Sequence, residues 1–222
     1  MAEFCDLHVF GNLKELESVS SKLGWTRIVK PAEMRSKNVQ EEARKLRKEA
    51  EVIIASGDDS VNRLASDCWE VDVIGSPEVH DEGDFMHQMN SGIDYVIAKA
   101  CAEKGIAVEI NFANVLGTFG RKRAQLLARM AQNVSICRDC GCDVIITSGA
   151  KDKFGLRSPR DLMAFGVVLG MKPDEALKAV SENPAKVLRK TENRKDPNVI
   201  TKGLEVKGWG SRQKEKRIYG WY

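Results

Sequence analysis

Nowhere in the 222 residues do eighteen apolar residues run together, so no segment has the length of a membrane-crossing helix. The opening Met1-Ala2-Glu3-Phe4-Cys5-Asp6 lacks a basic patch followed by an apolar stretch. No secretory leader is expected, and the chain reads as cytoplasmic. Histidine is scarce, with three residues, which leaves little imidazole for a metal centre. The turn after the first strand candidate is Gly11-Asn12-Leu13, with no G-x-G-x-x-G, which argues against an open dinucleotide-binding sheet. RRM and KH signatures are also missing. The six cysteines include Cys137-x-x-Cys140-x-Cys142, but no second Cys/His pair completes a four-ligand zinc site. Buried reduced thiols are the favoured reading.

Apolar residues make up 42% of the chain, enough for one sizeable core. The net charge of +3 hides an uneven distribution. Residues 186–222 hold 11 Lys and Arg against 4 Asp and Glu, and the other 185 residues hold 24 against 28. A basic tail on a mildly acidic body points to a polyanionic partner, with a merely solvated tail as the alternative.

Short apolar strands alternate with helical stretches. Strands are expected at Phe4–Phe10, Thr26–Val29, Val52–Ala55, Val71–Ile74, Ile106–Ile110 and Val144–Ile146. Asn12 should cap a helix with the apolar face Leu13, Leu16, Val19 and Leu23, stopped by Gly24. Further helices are expected at 36–50, after Asp58, at 94–104, 122–140 and 159–169, and as short pieces at 174–180 and 184–189. Each strand followed by a helix predicts an α/β, TIM-barrel-like fold with parallel strands and outer helices. The barrel should occupy residues 1–190, with 191–222 as a basic C-terminal extension.

In such a barrel functional residues sit at the C-terminal strand ends. Those ends supply His8, Phe10, Lys30, Ser56-Gly57-Asp58-Asp59, Ser76, Glu109, Asn111 and Thr147-Ser148-Gly149-Ala150-Lys151. The rim is polar and small. His80 and His87 fall in a Gly- and Asp-rich loop and read as solvated residues.

Asp6-Leu7-His8-Val9-Phe10 resembles the first-strand motif of the PHP phosphoesterases. That motif is His-x-His, two imidazoles on one rim because alternate strand residues point the same way. Here Phe10 replaces the second histidine. The superfamily's late Asp-x-His motif would fall on Gly149 and Lys151, and a lysine ammonium repels a cation. The resemblance therefore implies a PHP-like barrel without its metals. Three further stretches sharpen it: Ser56–Ala65 followed by Val71-Asp72-Val73-Ile74; Gly105–Phe112; and Ile145–Ala150 followed by Arg157-Ser158-Pro159-Arg160-Asp161-Leu162. Asn183-Pro184-Ala185-Lys186-Val187-Leu188 closes the set. In this order they resemble the RNase P protein component 3 family, related to the 30-kDa subunit of RNase P and MRP, over residues 3–190. Ala113 follows Phe112 where that family often has Arg.

The resemblance implies a subunit with no catalytic residue and no metal of its own. It would bind the RNase P RNA and pair with a small RRM-like subunit, touching precursor tRNA only indirectly. Magnesium is expected with the RNA. Candidate RNA contacts are Arg63, then Arg121, Lys122 and Arg123 at a helix start, then Lys151, Lys153, Arg157 and Arg160. The tail adds Lys207, Arg212, Lys214, Lys216 and Arg217 among Trp209, Tyr219, Trp221 and Tyr222. Two rivals remain: a PHP-type metal-dependent phosphoesterase with an altered metal site, and a protein-interaction barrel whose RNA contact is indirect.

Overall fold

Helix α1 (Leu13–Leu23) starts where the Asn12 side chain accepts the Lys14 amide and stops at Gly24, whose φ of 97° few other residues tolerate. The same logic sets other helix starts: Asp58, Asp94 and Ser158 each accept a first-turn amide through the side chain. The computed structural model describes residues 3–80, 83–84, 86, 89–201 and 203–215. Within them the order is β1 (Cys5–Asp6), α1, β2 (Arg27–Ile28), β3 (Ala32–Met34), α2 (Val39–Leu46), β4 (Ile53–Ala55), α3 (Asp59–Ser66) and β5 (Val73–Ile74). Then come α4 (Tyr95–Lys104), β6 (Ala107–Asn111), α5 (Phe112–Leu116), α6 (Gly120–Cys140), β7 (Val144–Thr147), α7 (Pro159–Val168), α8 (Pro173–Val180) and α9 (Glu182–Lys195). A hairpin of β8 (Val199–Thr201) and β9 (Leu204–Glu205) follows.

Strands β3-β4-β5-β6-β7 pair in sequence order, all parallel, and β1 pairs with β2 in parallel. Residues 29–31 carry the chain from β2 directly into β3. Pro31 sits at this changeover between neighbours, where its missing N–H breaks no ladder bond. The ring closes on the far side. Val9 bridges Ala150 in parallel, Phe10 N donates to Ala150 O (2.8 Å) and Gly149 N donates to His8 O (3.1 Å). This is the expected barrel of parallel strands with helices outside.

Alternation along the strands sorts the core. Val108 and Ile110 face outward into the main apolar cluster under the helices, while Ala107 faces the barrel interior. The lower interior is apolar: Cys5, Leu7, Val52, Ile54, Val73 and Ile145 meet Val187 and Leu188 of α9, which plugs the N-terminal end. Below the plug Asp72 is paired with Arg47 (2.5 Å) and Arg194. Lys190 Nζ donates to the carbonyls of Lys104 and Gly105 (3.2 and 2.9 Å).

Four elements differ from expectation. β3 extends the second strand beyond Lys30. α5 forms immediately after Glu-Ile-Asn, capped by Asn111 Oδ1 on Ala113 N (3.0 Å). Helix α9 is one continuous helix from 182 to 195, so the expected boundary at 190 falls inside it, and Arg194 is buried at the barrel floor. The charged stretch 36–50 is helical only over Val39–Leu46. Among the described residues no helix is long and apolar enough to cross a membrane.

Candidate nucleic-acid interface

Above the apolar floor the barrel interior turns polar, because the upper inward positions are Glu109, Asn111 and Thr147, with His8 beside them. Glu109 is fully buried and collects donors. His8 Nδ1 lies 2.6 Å from Glu109 Oε1, and Thr147 Oγ1 donates to the same oxygen at 2.5 Å. Ser76 Oγ donates to Oε2 at 3.4 Å. The other face of the imidazole reaches Glu33, with Nε2 to Oε1 at 3.2 Å. Burial alone would lower the His8 pKa, but the Glu109 charge and hydrogen bonds to Glu109 and Glu33 outweigh it and push it up to about 10. His8 is thus an imidazolium held between two carboxylates.

Two further acids are buried nearby. Asp6 accepts Ser148 Oγ (2.5 Å) and Ser148 N (3.2 Å), yet burial raises its pKa to about 6. Burial, reinforced by the Glu109 charge against a backbone hydrogen bond that lowers it, pushes Glu78 up to about 8, so it is protonated at neutral pH.

The mouth above this cluster is a cavity of about 310 Å³ lined by His8, Phe10, Glu33, Arg35, Ser56, Ser76, Asn111, Gly149 and Lys151. Every expected strand end is represented except Lys30. Because β3 continues past Pro31, Glu33 and Arg35 take that place. Gly149 has φ of 61°, and a Cβ there would overlap the Asn111 carboxamide oxygen. A ligand side chain in place of Gly149 would not fit here. With Phe10 apolar, Lys151 cationic, His8 Nδ1 bonded to Glu109 and Nε2 facing Glu33, the rim does not fit a di- or trinuclear metal centre. Among the described residues no group of three or more His, Cys, Asp or Glu is placed to hold a metal ion.

The expected basic residues fall into three situations. Arg121, Lys122, Lys151 and Arg160 are exposed and make no side-chain hydrogen bond or ion pair among the described residues. Lys151 lines the barrel mouth, and Lys122 lines an adjoining cavity with Arg35 and Asn114. Arg123, Lys153 and Arg157 also brace the loops. Arg123 Nε donates to Thr118 O (2.6 Å) and its guanidinium lies 4.9 Å from the Phe119 ring centre. Arg157 Nη1 donates to Phe154 O and Leu156 O, both at 2.8 Å. Lys153 Nζ lies 5.2 Å from the Phe154 ring centre. Arg63 instead pairs with Asp94 at 2.7 Å on the outer helices and does not line the mouth. In the tail, Lys207, Arg212 and Lys214 are exposed, and Trp209 Nε1 donates to Asn198 Oδ1 (2.9 Å). Lys216, Arg217, Tyr219, Trp221 and Tyr222 lie outside the described residues, as does His87. His80 Nε2 contacts Asn90 O at 3.1 Å.

The six cysteines are free thiols, and Cys140 alone is not buried. Cys101 from α4 joins Cys137 and Cys142, and hydrogen bonds from the Cys101 and Cys137 thiols lower Cys142 to about 5. Sequence spacing could not reveal this grouping, because Cys101 comes from another helix. Glu33 was missed because Pro31 masked its strand. Arg129, buried on α6 and bonded to Asp84 (2.8 Å), was hidden in an ordinary amphipathic pattern.

Comparisons with known proteins agree with this architecture. A chain in the cryo-EM structure of archaeal ribonuclease P with mature tRNA superposes with a TM-score of 0.71 at 23% identity, covering 92% of this chain and 89% of that one. It shares the fold. Ribonuclease P protein component 3 of Methanosarcina acetivorans is 35% identical over 155 residues, which is 70% of this chain and 61% of that protein. The same component of Methanococcus maripaludis is 28% identical over 207 residues, 92% of this chain and 78% of that protein. This chain thus spans about three fifths of the length of the Methanosarcina relative. The sequence pattern of one family, described as RNase P subunit p30, matches residues 14–196, nearly the whole barrel. From the first turn of α1 to the floor-sealing end of α9, this chain belongs to the RNase P subunit p30 family.

Proposed function

We propose that this chain is a non-catalytic, RNA-binding subunit of ribonuclease P that supports 5′ maturation of precursor tRNA. The observation that carries this reading is the set of cations at the barrel rim without acidic partners: Arg121, Lys122, Lys151 and Arg160. Arg121 and Lys122 stand in the first turn of α6, which has no acidic residue there and no side-chain cap. Cations at a helix N-terminus oppose the helix dipole, so helix stability does not account for them. Phosphate does, since exposed amides and side-chain cations then act together. The phosphodiester chemistry is assigned to the RNA and its magnesium, and none to this chain. A small RRM-like subunit is the proposed protein partner, precursor tRNA an indirect one, and the cytoplasm the proposed compartment.

Footprinting of RNase P RNA with and without the chain tests the reading, together with precursor-tRNA cleavage by the reconstituted particle. Protection by the chain, and cleavage that requires the RNA, are expected. Chelator-sensitive hydrolysis by the chain alone, abolished by His8→Ala, would establish the phosphoesterase alternative instead.

A further inference from the structure

We infer that Phe119 and Phe154 are stacking platforms for unpaired RNA bases, each backed on one ring face by a cation close to it in the chain. The inference rests on the RNA-binding reading above and adds which part of the RNA the rim grips. Phe119 and Phe154 are the two most exposed aromatic side chains among the described residues, at 76% and 78%. Single exposed apolar residues are common on protein surfaces. These two share features that ordinary ones lack.

Both rings are held out on braced backbone. Phe119 precedes α6 in extended conformation (φ −139°, ψ 157°), and Arg123 ties down the carbonyl of Thr118 before it. At the other loop Asp152 Oδ1 accepts the amides of Phe154 and Gly155, both at 2.9 Å, and Arg157 holds the Phe154 carbonyl. The two loops follow β6–α5 and β7, at the same end of the barrel. Arg157 links them, its guanidinium 5.8 Å from the ring of Phe112 at the start of α5.

In each case a cation occupies one side of the ring: Arg123 over Phe119 and Lys153 over Phe154. A cation over one face leaves the other for an aromatic partner. The surroundings decide the partner's chemistry. Arg121, Lys122, Lys151 and Arg160 flank the loops, whereas Asp152 and Asp161 are spent as turn and helix caps. An apolar protein ligand would be desolvating unpaired cations here. A polyanion carrying flat rings satisfies both features at once, and only unpaired bases expose those rings. Base–aromatic stacking is sequence-tolerant and contributes roughly 5- to 150-fold in affinity per base.

The test uses the full chain, an unstructured single-stranded oligoribonucleotide and an RNA duplex of equal charge, with binding measured across salt concentrations. Phe119→Ala/Phe154→Ala should bind the single strand at least ~10-fold more weakly, with the salt slope and the duplex affinity unchanged. Phe119→Trp/Phe154→Trp should restore the single-strand affinity, with indole fluorescence quenched on binding. Parent-like single-strand affinity in the alanine variant would overturn the inference. So would equal loss for single strand and duplex, or no rescue by tryptophan, while the RNA-binding reading survives. A parent chain that binds neither RNA would remove both.

Discussion

Replacing Arg121 and Lys122 by alanine separates a phosphate contact from a structural role, because the two roles predict opposite changes in stability. Helix α6 is 21 residues long, and its N-terminus carries these cations without a side-chain cap or an acidic neighbour in the first turn. A charge of the wrong sign in a first turn costs about 0.3–1 kcal/mol. Removing two should therefore stabilise the chain by about 0.6–2 kcal/mol, before a further small gain from alanine's propensity. For a domain of this size that is an increase in melting temperature of about 1–8 °C. RNA affinity should fall in the same variant, by similar factors for different RNA sequences, because phosphates carry no base information. The slope of log affinity against log salt should become shallower by about 1.4–1.8 if both side chains each neutralise one phosphate. Arg123 is kept, since its bond to the Thr118 carbonyl makes it part of the loop. Differential scanning fluorimetry and a salt-series binding titration on the same preparation supply both numbers. A variant that melts earlier than the parent, with an unchanged salt slope, would refute the phosphate assignment.

The buried ion cluster predicts a pH signature. The native His8 pKa of about 10 lies above the usual 6.5, so its stabilisation is complete below pH 6.5 and is lost as pH rises through 10. His8→Gln should therefore cost most at about pH 6 and little above pH 10, read from denaturation midpoints across that range. Glu78 has the same sign for a different reason: its native pKa of about 8 exceeds the usual 4.5 because burial penalises the carboxylate. Its ionisation costs stability as pH rises through 8, so Glu78→Gln should gain on the parent between pH 6 and pH 9, and equal midpoint differences at both would count against this. At the floor, Asp72→Asn leaves Arg47 and Arg194 without their buried carboxylate and should destabilise by about 3–5 kcal/mol in urea unfolding. A loss under about 1 kcal/mol would show that water or backbone compensates.

Much of the barrel was legible because periodicity and punctuation agreed. Asn12 and Gly24 bounded α1 as composition predicted, and the Ala107–Asn111 strand announced itself by β-branched residues after Gly105. The rim was legible for the same reason, since strand ends fix it. Legibility failed where a local signal had a non-local answer. The strand expected to end at Val29 resumes as β3, because residues 29–31 only change its pairing partner. The run after 190 reads as a basic extension, yet Arg194 turns inward beside Lys190 because Asp72 awaits it at the floor. Nor could the sequence separate the four unpartnered rim cations from Arg63, whose partner Asp94 lies 31 residues away.

The seam of the barrel also dictates an order of events during folding. From β3 to β7 each strand pairs with its predecessor, so these pairings can zip as the chain lengthens. Closure cannot. Val9 must find Ala150, and Asp72 must find Arg194, 122 residues later. Until both searches end, β1 and β7 present open parallel edges and the floor holds an uncapped apolar interior. Such long-range closure is slow and leaves an aggregation-prone intermediate. A nascent chain paused before α9 would hold every barrel strand, β1 to β7, but no bottom. Helix α9 therefore acts as a checkpoint for completion, converting a nearly finished cylinder into a sealed one.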